Sequence, residues 1–308
     1  MGRLEELRIV DPVLTNIARG YSNDAYIGTV LAPIVPVQKE AGKIPQFGKE
    51  AFKLYNTERA IRAKSNRLSP EGRTTIDFTL TEHDIEYPID YREAEEDLFN
   101  LQVYATQTTI DIILLRLEKE IADKVQDLNT YPSTNKITLS GTSKFTSADS
   151  DPIATIETGK DAIRSAIGKY PNVMVMGPAT YGALKSHGKI LDRIKYAMKG
   201  IVTTDILAEI FDIPTVVVGK SIYAADAGVF YDVWQDNIVL AYVSPAPSGG
   251  AERTPYEPSF AYTLRKKNKP ETDTYDEVGG KLHIVRTTDL LTVKIVGADA
   301  GYLINDTN

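Results

Sequence analysis

The sequence predicts an α+β chain organised around one long helix. Three observations predict it. The stretch 37–88 reads as extended and is poor in apolar side chains, the run from Tyr91 to Leu128 holds neither glycine nor proline, and 151–243 alternates short apolar strands with capped helices.

Residues 1–36 read as an irregular arm. Asp11-Pro12 opens a short helical stretch that Gly20 breaks, and the prolines of "APIVPV" forbid a central strand. Within 37–88, Ile76, Phe78 and Leu80 alternate with Asp77, Thr79 and Thr81, the period of a strand, and "SPEG" at 69–72 places Pro and Gly for a tight turn. A β-hairpin with so few apolar groups cannot bury a core of its own and has to lie against something else.

From Tyr91 the period changes. Asp90 is placed to cap the first turn, with Glu93 three residues on in capping-box position. Ile110, Leu114, Leu117, Ile121, Val125 and Leu128 form one apolar stripe of a helix. Unbroken, a helix over 91–128 would span about 57 Å at about 1.5 Å per residue, a rod far longer than ordinary helices. Such a rod organises a large shape more readily than a small active site.

Residues 129–150, rich in Ser, Thr, Asn and Asp, read as loop or weak strand. Asp151-Pro152 then opens a helix bearing Ile153, Ile156, Ile163 and Ile167, and Gly168 closes it. "NVMVMG" reads as a buried strand, "PATYGALKSH" as a short helix, "TTDILAEIF" as a capped helix, and "PTVVVG" and "NIVLAYV" as further strands. From 259, "FAYTLRKKNK" and "KLHIVRTTDLLTVKIV" read as long strands joined by a polar turn.

Composition narrows the function classes. A net charge of −7 argues against a general nucleic-acid-coating surface, and the absence of cysteine excludes disulfides, thiolate metal sites and cysteine nucleophiles. The start, "MGRLEELRIV", lacks the apolar core of a signal peptide, and runs such as "IVLAYV" fall far short of the roughly 18 residues of a membrane span.

Site chemistry is nearly missing. The strand-turn-helix "NVMVMGPATYG" is placed like a phosphate cradle, yet Pro178 removes a backbone N–H where a dinucleotide fingerprint needs glycine, and the next glycine is Gly182. His83, His187 and His283 are scattered and stand in no metal-binding pattern. Glu82, Asp84 and Glu86 would share one strand face, a row able to attract a cation and equally able to meet basic groups. The acidic loop from Asp273 lacks the glycine and glutamate of a calcium loop, and Trp234 reads as core or interface. No catalytic, cofactor-binding or metal-binding residue is therefore expected, and the chain is expected not to be an enzyme.

The succession of segments resembles the major capsid proteins of tailed bacteriophages with the fold named after phage Hong Kong 97. "LTNIARGYSNDAYIGTVLAPIVPVQKEAGKIPQFGKE" is similar to the arm and the start of the extended loop in one branch of that family. The 91–128 helix is similar to its spine helix, and "VMVMGPATYGALKSH" with "DILAEIFDIPTVVVGKSIY" to its axial domain. The resemblance implies an N-terminal arm at 1–36, an extended loop at 37–88, a peripheral domain at 89–150, an axial domain at 151–258 and peripheral return strands at 259–308. It implies self-assembly into hexamers and pentamers of an icosahedral head around double-stranded DNA, held without sequence-specific contact, in a virion assembled in the host cytoplasm. Because the arm begins near Met1, the expected scaffolding partner is a separate protein, with a portal and decoration proteins as further partners and no membrane. Some relatives crosslink a loop lysine to a neighbour's asparagine; Lys49 and Lys53, with Asn305 and Asn308, are the candidates for that here. The alternatives are an encapsulin-like nanocompartment of the same fold and an α/β enzyme using 151–243.

Charge suggests how subunits would meet. Between Lys43 and Arg73, the eight basic residues Lys43, Lys49, Lys53, Arg59, Arg62, Lys64, Arg67 and Arg73 outnumber three acidic ones, leaving that stretch +5, whereas 91–128 carries −5. Solvated faces carry such charges too. The sharper expectation, which the resemblance implies, is that one subunit's loop lies across its neighbour's long helix, where Glu95, Glu96, Glu118 and Glu120 would receive it.

Overall fold

The computed structural model describes residues 9–46, 54–67, 74–96, 100–195, 201–225, 228–247, 249, 252–277 and 281–308; the turn expected at 69–72 lies outside them. The N-terminal segment forms β1 (Ile9–Val10), α1 (Pro12–Gly20), α2 (Gly28–Leu31) and β2 (Ile34–Val37). Asp11 caps α1, its Oδ1 accepting from the amides of Val13 and Leu14 at 2.8 and 3.0 Å. The prolines beside and within β2 bar it from a sheet interior, and it runs as a parallel edge strand.

β3 (Ala41–Pro45) and β4 (Thr75–Thr79) pair antiparallel, so a hairpin does form within 37–88. Its base is seated: Phe78 and Leu80 pack with Val35, Ile44, Tyr262, Leu264 and Val296. The described residues between the two strands, 54–67, are exposed throughout.

β5 (Thr81–Asp90) leads into α3 (Tyr91–Glu96), where the expected reciprocal cap forms between Asp90 and the Arg92 amide and between Glu93 and the Asp90 amide. The single rod expected over 91–128 is corrected. Asn100 takes an extended backbone (φ −72°, ψ 91°), its side chain accepts from the Val103 amide at 3.2 Å, and a separate 26-residue helix, α4 (Leu101–Gln126), begins there. Freedom from glycine and proline permits a continuous helix without enforcing one, and asparagine is among the strongest N-caps. At about 1.5 Å per residue α4 is about 39 Å long.

β6 (Lys136–Thr138) precedes α5 (Pro152–Ile167), which starts at the Asp151 cap and stops at Gly168 in the left-handed region (φ 70°). Then follow β7 (Val173–Met176), α6 (Pro178–Ser186), α7 (Gly188–Ile194), α8 (Thr204–Phe211) and β8 (Thr215–Val218). The remaining strands are β9 (Ile222–Ala224), β10 (Phe230–Asp232), β11 (Ile238–Ala241), β12 (Ala261–Lys266), β13 (Glu271–Asp276), β14 (Leu282–Ile295) and β15 (Gly301–Asn305).

Two main sheets result. In one, β14 is the central strand: β5 lies along one side of it, and β12 and β13 lie end to end along the other, with β2 and β1 outside them. Arg19 of α1 fastens the break between β12 and β13, donating to the carbonyls of Asn268 and Pro270. The other sheet runs β6-β15-β11-β7-β8, with α5 packed on it. This corrects the expected return of 259–308 to the peripheral unit: β15, and with it β6, joins the sheet of the 151–258 segment. Pairing partners distant in sequence leave no local signal, and β15 reads alike as the edge of either sheet.

α4 ties the sheets together. Leu117, Ile121 and Val125 share one buried cluster with Leu291 and Val293 of the first sheet and with Val175, Val239 and Leu303 of the second. Burying each such side chain contributes about 1.5–3 kcal/mol.

Candidate assembly interface

The basic side of the expected interface is reached by few of its residues. Lys43 is on β3 and faces Asp77 of the same hairpin at 3.6 Å. Arg59, Arg62, Lys64 and Arg67 all lie in the exposed 54–67 loop, whereas Lys49, Lys53 and Arg73 lie outside the described residues. The loop is shaped locally: Arg59 donates to the Ala63 carbonyl at 3.0 Å, Asn66 donates to the Asn56 and Glu58 carbonyls, and Arg62 stands at φ 68°. Sequence reasoning missed the apolar part of this loop, since Leu54 is 98% and Ile61 93% exposed.

The acidic side is smaller than the charge count implies. Glu95 and Glu96 are exposed on α3. Glu120 pairs with Lys124 at 2.6 Å on α4 itself, and Asp123 pairs likewise with Lys119. Glu118 has to be withdrawn from the docking face. It is 2% exposed, and its carboxylate accepts from the Ile27 and Gly28 amides at 3.0 and 2.6 Å and from Trp234 Nε1 at 2.6 Å. Burial pushes the Glu118 carboxyl above its usual range, against the pull of those donors.

Two turns earlier on the same helix, Asp111 accepts from the phenols of Tyr21 and Tyr26 and from the Asn23 side chain at 3.1–3.2 Å. Two α4 carboxylates thus clamp 21–28 against the helix. The signal was present in sequence only as acidic residues seven apart, which puts them on one helix face.

The glycine, histidine, acidic and asparagine candidates are occupied structurally. A Cβ at Gly177 would overlap the Gln235 carbonyl oxygen, the Gly177 amide faces the Asn237 carbonyl, and Thr180 at the start of α6 is hydrogen-bonded to Thr307. The junction that resembles a phosphate cradle is therefore roofed by the chain's own backbone and tail. His187 caps α7, with Nδ1 accepting from the Lys189 amide and Nε2 beside Ser150 and Ser147. His283 meets Asp276 at 2.8 Å, and His83 stands opposite the buried Asp289, which is paired with Arg265 at 2.9 Å. The Asp84 and Glu86 end of the acidic row meets Arg286, which also grips Asp273. Asn305 lies in β15, and Asn308 is held through its carbonyl by Lys144 at 2.6 Å. Among the described residues no cluster of three or more acidic or histidine side chains is arranged to hold a metal, and no helix is long and apolar enough to cross a membrane.

Among the described residues the 54–67 loop stays exposed, while those read for chemistry are engaged in internal contacts. Over 308 residues, all of each chain, the sequence is 56% identical to the major capsid protein of Burkholderia phage BcepMu. This chain belongs to the phage major capsid proteins. The family described as phage major capsid protein E matches residues 117–271, and the major capsid protein of Pseudomonas phage JBD67 is 30% identical over 69% of each chain. The capsid subunit is also similar to the crystal structure of a phage-related protein from Bordetella bronchiseptica RB50, with TM-score 0.83 and 35% identity over 97% of this chain and 98% of that one. Against the mature capsid of bacteriophage PhiM1 the TM-score is 0.54 at 14% identity, covering 94% and 89%. The fold is thus the Hong Kong 97 type that the resemblance implied. An encapsulin from Synechococcus elongatus shares it, with TM-score 0.57 at 12% identity over 96% and 95% of the two chains, which is a likeness of fold alone.

Proposed function

We propose that this capsid subunit assembles into hexamers and pentamers that close an icosahedral head around double-stranded DNA, each copy laying its extended loop across a neighbour. One observation carries the reading: residues 54–67 project with Leu54, Ile61 and four basic side chains exposed, on a hairpin whose base alone is packed. Large apolar side chains held almost wholly in water at the end of a projecting hairpin suit a surface that a neighbouring copy covers. The receiving surface includes the acidic face at Glu95 and Glu96, and opposite charge steers the encounter. The subunit works without catalysis. Its negative charge suits an inner wall that releases its genome, since phosphate-gripping proteins are basic. A separate scaffolding protein, a portal and decoration proteins complete the head, which assembles in the host cytoplasm.

Negative-stain microscopy of the purified protein tests this. Rings or closed shells are the expected result. A stable monomer at every salt and protein concentration, with or without a scaffold, would overturn the reading.

A further inference from the structure

Most large apolar side chains exposed among the described residues stand singly; two groups do not. One is the 54–67 loop. The other covers the β9–β10 ribbon, where Ile222, Val229, Phe230 and Tyr231 are 51, 49, 68 and 49% exposed. The ribbon has three residues a strand and, among the described residues, neither strand has a second partner. A two-stranded ribbon of that size is marginal in water.

One face of it is accounted for. Tyr223 and Tyr231 oppose each other in register with ring centroids 5.7 Å apart, and Lys119 of α4 stands 4.9 Å over the Tyr223 ring. Strand alternation then turns Ile222, Ala224, Phe230 and Asp232 to the other face, and all four are exposed.

Charge and symmetry select the occupant. The ribbon segment "IYAADAGVFYD" carries two aspartates and no basic residue, while the loop segment "LYNTERAIRAKSNR" carries four basic residues and one glutamate. In a shell of identical copies joined head to tail, an uncovered patch has to meet a different patch of the same chain. Here the two apolar groups carry opposite charge, and arginines sit well on aromatic faces. We propose that the Ile222–Phe230 face of β9–β10 is the seat of a neighbouring copy's 54–67 loop, with Leu54 and Ile61 supplying the apolar contact and Arg59 and Arg62 drawn to Asp232. This rests on the proposed exchange of loops between copies and adds its receiving surface. Because the ribbon packs on α4, a loop crossing the neighbour's α4 reaches it.

The absence of native cysteine makes the test clean. In full-length protein carrying both Ile61→Cys and Phe230→Cys, mild oxidation of assembled particles is expected to yield ladders of trimers and higher species on a non-reducing gel. Either single variant can reach a dimer at most. Leu54→Cys with Ile222→Cys provides an independent pair. If particles form normally and Ile61→Cys joins Glu95→Cys but never Phe230→Cys, the seat is wrong while loop exchange stands. If it joins neither, both fail. Phe230→Ser with Ile222→Ser is expected to lower particle yield at least tenfold while the free subunit keeps its melting temperature. Assembly at the unsubstituted yield would overturn the proposal.

Discussion

Glu118 shows how much one buried carboxylate organises. It joins α4, the 27–28 backbone and Trp234, so Glu118→Ala strips the acceptor from three donors at once. A buried polar group left unsatisfied costs about 1–3 kcal/mol, and the expected loss is on the order of 3 kcal/mol or more in denaturant unfolding. Trp234 is the single tryptophan, so its emission should shift to the red as the ring meets water; a variant with unchanged stability and emission would refute the clamp. The pH dependence follows from the direction of the shift. Burial raises the carboxyl above its ordinary value of 4.5, so its contribution to stability is full below that value and fades as pH rises through the folded-state value. Glu118→Gln is expected to flatten the fall in stability with pH above 4.5, which equilibrium unfolding at several pH values would read. At the strand-to-helix junction the contrast is steric. Gly177→Ala drives a Cβ into the Gln235 carbonyl and should lower the melting temperature sharply. Pro178→Ala, which only loosens the unfolded chain, should cost no more than about 1 kcal/mol.

At the level of elements, the loop and the helices divide the labour of docking. The helix charge that looked like one acidic rod is mostly spent internally, on Lys119 and Lys124 and on the clamped 21–28 segment, so α3 carries what remains. Single exposed ion pairs contribute only about 0.2–1 kcal/mol, and the effect therefore has to come from repetition around each ring. Reversing Arg59, Arg62, Lys64 and Arg67 to Glu is expected to block assembly, read by light scattering, with the subunit still folded because all four are exposed. Changing Glu95 and Glu96 to Lys in the same chain should restore part of the rate, with Glu118 left intact as a buried group and Glu120 left paired with Lys124. About 1 M salt, with a Debye length near 3 Å, should slow the unsubstituted protein. A four-Glu loop variant that assembles at the normal rate would remove charge from the account.

Across the whole molecule, the two sheets share a core through α4, so they should unfold together. One calorimetric transition is expected, and Leu117→Ala, within the shared cluster, should lower that single transition by about 2–5 kcal/mol. Two separable transitions would show that the sheets are independent. Local signals carried most of the elements: Asp11 and Asp151 before prolines, Gly168 after an apolar stripe, and the apolar run 173–176 each needed only neighbours in sequence to declare a boundary. One boundary rested on a local cap inside a run that otherwise reads as continuous helix, and two features depended on contacts distant in the chain. A strong cap at Asn100 interrupts a run that nothing else in the sequence interrupts, β15 takes its partners from strands sixty or more residues away, and Glu118 is sealed by a tryptophan 116 residues on. The candidate interface divided in the same way. Its basic loop could be read from charge, because charge belongs to a residue wherever it lies. Which carboxylates face outward, and that Leu54, Ile61 and Phe230 stay in water, depended on packing, because apolar residues and buried acids look alike in sequence until the fold places each inside or outside.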